Sequence, residues 1–298
     1  MAEVYAEHLS KRYSNGVWGV RDVSLKARRG EILVVLGPNG AGKTTTLNIL
    51  STLIKPTGGL ARVMGYDVYR EYREIRRHIA LMPQDGSINP SWTPLYAVKW
   101  YLVARGFSLS DAEREARRWL EEIGLWDLRD RSGYALSGGE RRRVLLAMTL
   151  ASGSEILFLD EPSVGLDVEG KYVLWSAIRK YSAGRCVIYT THEMREVENI
   201  ADKILIIDSG VSKGGGDFKK LMEEFPYKYK VVVRSGDVVA GNEHVKIKTG
   251  DFTRVYFKER SEALDYLYTL RDLRDVSIRE VDVEDVYLFS IKGGEAGL

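Results

Sequence analysis

An α/β fold built on an open parallel sheet is predicted by three short apolar runs, rich in branched residues and bounded by turn signals. They are ILVVL (32–36), ILFL (156–159) and CVIYT (186–190). Each leads directly into polar chemistry: GPNGAGKTTT, DEPSVGLD and THEM. Ligands of open α/β sheets bind beyond the carboxyl ends of the strands, so three loaded loops at three such ends point to one site. A fourth run, KILIID (203–208), reads as a neighbouring strand without chemistry.

The whole chain sets outer bounds. At 298 residues it exceeds one typical domain and can bury a full core. Lys plus Arg (44) and Asp plus Glu (42) nearly cancel, so no net basic field argues for a nucleic-acid partner and none is expected. The single cysteine, Cys186, excludes an internal disulfide and suits a reducing cytosol. No apolar run approaches the roughly 18 residues of a membrane span. The opening MAEVYAEHLSKRY lacks the apolar core of a signal peptide. The expectation is a soluble intracellular protein that can still dock onto a membrane partner.

Taken in order, EVYAEHL, VSLKAR and GLARVMGYDV read as short strands of a small antiparallel layer. GPNGAGKT (37–44) fits G-x-x-x-x-G-K-[ST], the phosphate-binding loop. Gly37, Gly40 and Gly42 let main-chain N–H groups curl round phosphate oxygens. Lys43 reaches the β- and γ-phosphates, Thr44 offers its hydroxyl to Mg²⁺, and the helix starting there adds the positive end of its dipole. Residues 87–152 read as helical. Within them DAEREARRWLEEIGL takes an aspartate N-cap and a trailing Gly124, and Pro94 breaks any helix through SWTP. SINPSWTPLYAVKWYL (87–102) is rich in aromatics, as fits a partner surface or a core equally well.

ALSGGERRR (135–143) puts two glycines at the start of a helix, where they are costly unless a backbone must approach a ligand closely. Val144, Ala147, Met148 and Ala151 follow at helical spacing and give that helix a packing face. Arg142 and Arg143 read as a solvated face. At the second strand end, Asp160 is placed to hold the metal and Glu161 to polarise an attacking water. His192, beyond the third strand, is a candidate γ-phosphate contact.

These features together resemble the ATP-binding subunit of an ABC transporter over residues 1 to about 220. Tyr13 in SKRYSNG resembles the aromatic residue that stacks on adenine. GPNGAGKTT resembles the phosphate loop, with Asn39, Ala41 and Thr45 joining the residues above. Gln84 in LMPQDG resembles the glutamine-loop residue, a metal and coupling group. LSGGE (136–140) is similar to the family signature, SVGLD (163–167) to the D-loop ending in Asp167, and His192 to the switch histidine. The resemblance implies a P-loop NTPase with a RecA-like parallel core, an antiparallel β layer and a helical subdomain at 87–152. It also implies ATP and Mg²⁺ as ligands, a head-to-tail homodimer and a separately encoded transmembrane permease that holds the protein on the inner face of the cell membrane. Ser137, Gly138 and Gly139 would then cover the γ-phosphate on the partner's loop, with Asp167 supporting the partner's site. Glu161, His192 and Lys43 would carry the hydrolysis.

From residue 221 the composition changes. YKYKVVVR, HVKIKT, TRVYFKE and VSIREV read as strands and SEALDYLYTLRD as a helix, giving a small α+β extension over 221–298. It resembles the extension on drug-resistance exporter ATPases, whose LEDVF ending VEDVYL is similar to, and reads as a folding or dimer-stabilising appendage. Alternatives are an importer ATPase, or a soluble ABC ATPase acting on ribosomes or DNA. Against the latter stand a single cassette, no sustained heptads and one cysteine.

Overall fold

The structure, a computed structural model, describes residues 3–234, 244–270 and 275–292. The chain divides into two compact units, 1–212 and 213–298.

In the first unit, β1 (Val4–Arg12) and β2 (Trp18–Ala27) precede β3 (Ile32–Leu36) and α1 (Lys43–Leu50). Then come β4 (Gly58–Val63), β5 (Tyr66–Asp67), α2 (Tyr72–His78) and β6 (Ile79–Met82). The helices α3 (Pro94–Ala104), α4 (Leu109–Glu122) and α5 (Gly138–Ala151) follow. After β7 (Ile156–Asp160), α6 (Val168–Ser182) leads to β8 (Cys186–Thr191), α7 (Met194–Ile200) and β9 (Lys203–Asp208), and β10 (Val211–Asp217) begins at the end of this unit.

Among the described residues these strands form one sheet in the order β5-β4-β1-β2-β10-β9-β3-β8-β7-β6. The β5-β4-β1-β2 side is antiparallel. The strands from β9 to β6 are parallel, with Val34 opposite Tyr189 and Ile204, and Leu157 opposite Val187 and Ala80. Every residue of β3, β7 and β8 is buried, which is why their apolar runs are continuous instead of alternating. The parallel register lines up the carboxyl ends of these three strands, so their loops share one edge.

Two elements differ from expectation. The edge strand β6 is only IALM, too short between a helix and a turn to show a period, yet it delivers Gln84 to the sheet edge. In α4 the N-cap is Ser108, whose hydroxyl accepts from Asp111 N at 3.1 Å; Asp111 sits three residues inside, favourable to the helix dipole but no cap. Pro94 occupies the first turn of α3, capped by Thr93, where its missing N–H costs nothing. Residues 87–93 contain no helix.

The second unit contains α8 (Phe218–Glu224), β11 (Tyr229–Arg234), β12 (Lys246–Thr249), β13 (Phe252–Phe257), α9 (Arg260–Thr269), β14 (Ser277–Glu280) and α10 (Val283–Lys292). Its antiparallel sheet runs β12-β13-β11-β14. Val231, Val233, Val255 and Phe257 share a core with Ala263 and Tyr266 of α9. The alternate residues Lys230, Arg254 and Tyr256 bond acids of α10 and the turn before it. Residues 271–272, the end of the expected helix SEALDYLYTLRD, lie outside the described residues. Among the described residues no helix is long and apolar enough to cross a membrane.

Candidate nucleotide site

The loop after β3 has its shape because side chains would not fit. A Cβ on Gly37 would stand 2.2 Å from the Ile207 carbonyl oxygen on β9, so the supposedly silent fourth strand walls the loop. Gly42 has φ +104°, and a Cβ there would reach 2.5 Å from the Gly19 carbonyl oxygen. Lys43, first in α1 and 4% exposed, donates from Nζ to the carbonyls of Gly37 (2.8 Å) and Pro38 (3.1 Å). A cleft of about 350 Å³ lies beside it, lined by Asn39, Gly40, Gly42, Lys43, Thr44, Thr45, Gln84 and Glu161. Val17, Trp18 and Gly19 complete the lining, and no pattern in the sequence marks them. Gly37 and the buried Ala41 shape the loop from behind. Tyr13 stands outside the lining, its hydroxyl 3.1 Å from Thr45 Oγ1, and Trp18 is the aromatic side chain that borders the cleft.

At the end of β7 both acids are buried. The Thr190 hydroxyl accepts from Glu161 N (2.9 Å) and donates to Asp160 Oδ1 (2.6 Å), which fixes Asp160. Glu161 has φ +44°, a left-handed conformation costing a non-glycine residue about 1–3 kcal/mol and found chiefly at functional sites. Its carboxylate is the meeting point of the site. Lys43 Nζ lies 3.0 Å from Oε1, His192 Nδ1 lies 3.2 Å from Oε2, and Gln84 Nε2 donates to Oε2 at 3.5 Å. One carboxylate thus draws together residues from β7, α1 and the loops after β6 and β8. Among the described residues no three His, Cys, Asp or Glu side chains cluster as a metal site. Thr44, Gln84 and Asp160 supply oxygen donors with a single carboxylate, a set that fits Mg²⁺ held largely by phosphate oxygens and water.

Residues 20–164 match the family profile described as "ABC transporter". The chain carries an ABC transporter ATP-binding domain. It is 33% identical over 235 residues to "Phospholipid-transporting ATPase ABCA3" of Rattus norvegicus, a match covering 78% of this chain and 14% of that protein. It is 38% identical over 197 residues to "Daunorubicin/doxorubicin resistance ATP-binding protein DrrA" of Streptomyces peucetius, covering 66% of this chain and 60% of the relative. It is 34% identical to "Doxorubicin resistance ATP-binding protein DrrA" of Mycobacterium tuberculosis, covering 73% and 66%. The chain therefore spans a small part of the ABCA3 protein and under two thirds of the first of these DrrA proteins. These names are those of transport and resistance proteins, and the ribosome or DNA alternative is not favoured. Among solved structures, the dimeric ATP-binding cassette MJ0796 in a post-hydrolysis state bound to ADP and Pi superposes with a TM-score of 0.66 at 25% identity. That match covers 72% of this chain and 98% of MJ0796. An "ATP binding subunit of ABC transporter" gives a TM-score of 0.67 at 24% identity, covering 74% and 92%, and supports the fold.

In this ABC domain the LSGGE segment caps α5. Ser137 Oγ accepts from Glu140 N (3.1 Å) and Glu140 Oε2 accepts from Ser137 N (2.6 Å), a reciprocal capping box. The second bond holds the Glu140 carboxyl below the usual carboxylate range. With Ser137 Oγ already accepting, its hydroxyl proton remains able to donate. A Cβ on Gly138 would meet nothing within 4 Å, so the chain's own packing does not call for glycine there. A Cβ on Gly139 would lie 3.3 Å from the Gly165 carbonyl oxygen, which makes the signature and D-loop neighbours. Asp167 caps α6 by accepting from Gly170 N at 2.8 Å. None of Ser137, Gly138, Gly139 and Asp167 lines the cleft. Val144, Ala147 and Ala151 are buried as expected, with Leu146 and Leu150 beside them.

Arg142 corrects the expectation of a solvated face: it is buried at 8% exposure and makes five hydrogen bonds to main-chain carbonyls. Desolvation pushes its pKa down, while Asp160, Asp85, Tyr189 and Glu161 pull it back up. Arg143 is half-buried and donates to the Ile123 carbonyl at 3.3 Å. Charge in a helix signals solvent only when the opposite face alone packs, and α5 is packed on more than one side.

Proposed function

We propose that the chain binds MgATP and hydrolyses it as the motor of a membrane transporter, acting as a homodimer on a separately encoded permease. The observation that carries this reading is the convergence of Lys43, Gln84 and His192 on Glu161. With ATP in the cleft, Lys43 turns from Glu161 to the β- and γ-phosphate oxygens, and the loop N–H groups stabilise charge on the transferring phosphoryl group. Thr44, Gln84 and Asp160 would hold Mg²⁺, which would supply charge neutralisation at the phosphates. Glu161, freed of Lys43, takes the proton of the attacking water, and His192 Nδ1 steadies the carboxylate beside the γ-phosphate. Trp18, on the rim of the cleft, offers its ring to the adenine.

The free proton of Ser137 and the open space over Gly138 support a phosphate arriving from a second copy, where the α5 N-terminus adds its dipole. The dimeric state in the MJ0796 description agrees with that arrangement. Trp92, just before α3, and Tyr96 and Trp100 on it form an exposed aromatic row with ring centroids 5.4 and 5.9 Å apart, while Ala97, Val98 and Leu102 are buried. That row supports a permease-facing surface, and with it a location at the inner face of the membrane. The resistance function named for both DrrA proteins supports export.

Glu161→Gln tests the reading. The variant should still bind ATP, lose hydrolysis by about 10²–10⁴-fold, and accumulate as an ATP-bound dimer by size-exclusion chromatography. Turnover at the parent rate would assign the water to another group.

A further inference from the structure

The second turn of α5 sends one charged group into the interior between two functional loops. Arg142 Nη1 donates to the carbonyls of Pro83 (3.0 Å) and Gln84 (2.6 Å), at the start of the glutamine loop. Nη2 donates to the carbonyls of Asp160 (3.1 Å) and Glu161 (2.8 Å), and Nε donates to that of Pro162 (3.2 Å). One arm of the guanidinium serves the loop that carries Gln84, and the rest serves the turn that carries Glu161. The side chains of those two residues meet only through a 3.5 Å contact.

The backbone of Glu161 fits the same picture. Successive carbonyls of an extended strand point in opposite directions, so Asp160, Glu161 and Pro162 can converge on one cation only where the strand path breaks. The break is at Glu161, with φ +44°. A buried guanidinium is costly without full partnering, and its rigid fork of five donors is what two loops require.

We infer that Arg142 is a positioning residue for hydrolysis: it fastens Glu161 and Gln84 to the signature helix, so that the placement of α5 sets the placement of the base. α5 opens with Ser137, which engages the second copy in the reading above, and the same helix thereby reaches its own chain's base. The inference rests on Glu161 being that base.

The test uses the full chain with Arg142→Lys, which keeps the charge and loses the fork, and Arg142→Met, which loses both. Calorimetric ATP affinity and KM should stay at the parent values, because the phosphate loop is untouched. kcat should fall by about tenfold to a hundredfold in both, the effect of misplacing a reacting group by roughly an ångström. In a Glu161→Gln background, Arg142→Lys should cause no further loss, since a residue acting through Glu161 has nothing left to position. A merely structural residue would lower affinity, stability and rate together and would act with or without Glu161. Parent kcat in either folded variant, or the same loss in both backgrounds, overturns the inference. So does a chain that cannot fold with lysine at 142, which would make the guanidinium a requirement of the fold alone. Failure of the underlying reading looks different: the parent chain lacks ATPase activity, or Glu161→Gln retains it.

Discussion

Lys43 and Glu161 hold each other at 3.0 Å in a buried pair, and that contact has a consequence for substitution. Lys43→Ala removes the main cation for the phosphates and leaves Glu161 buried without it. ATP affinity should fall by about tenfold to a hundredfold, the worth of hydrogen bonds to a charged group, as measured by calorimetry. Unchanged affinity would remove Lys43 from the site. Lys43, Thr44, Asp160 and Glu161 were legible in the sequence because short-range spacing alone places them at a strand end or helix start. Trp18 and Arg142 were not. Trp18 borders the cleft only because β2 pairs within a ten-stranded sheet, and Arg142 is buried only because loops 59 and 18 residues away close over it.

Elements show the same division. The fully buried strands β3, β7 and β8 announce themselves as apolar runs, whereas β6 is recognisable only through its pairing with β7. In the second unit, alternation marks β11, but it does not reveal that Lys230 points inward. Lys230 is 2% exposed and bonds Asp282 (2.7 Å) and Asp285 (2.6 Å), and Asp285 also accepts from Arg254 and Tyr256. Burial and the Asp285 charge push the Tyr256 phenol well above its ordinary range, so it stays protonated and donates. Asp285 is the aspartate of VEDVYL, and it fastens α10 to the sheet. Asp285→Ala leaves Lys230 to Asp282 alone and takes the acceptor from the buried Tyr256 hydroxyl, and should destabilise this unit by about 1–3 kcal/mol, read as an early thermal transition. An unchanged melting profile would show that the network contributes nothing net.

At the scale of the whole molecule, all residues of the cleft fall in the first unit, and β10 contributes to that unit's sheet through Val211 opposite Asp22. A chain ending after Asp217 should therefore fold and bind ATP as the full chain does; soluble truncated protein without ATP binding would make the remainder part of the site. In the proposed reading a single chain leaves the γ-phosphate side unfinished, since the signature lies off the cleft and Gly138 faces open space. If a second copy closes that side, Ser137→Arg should expose it. The arginine would stand where a partner's phosphates must arrive, while Lys43, Asp160 and Glu161 are untouched. The monomer should keep the parent ATP affinity, form no ATP-driven dimer on a sizing column and hydrolyse ATP more slowly by at least about a hundredfold. Purified Ser137→Arg protein that dimerises with ATP and hydrolyses it at the parent rate would show that the signature does not act on a second copy.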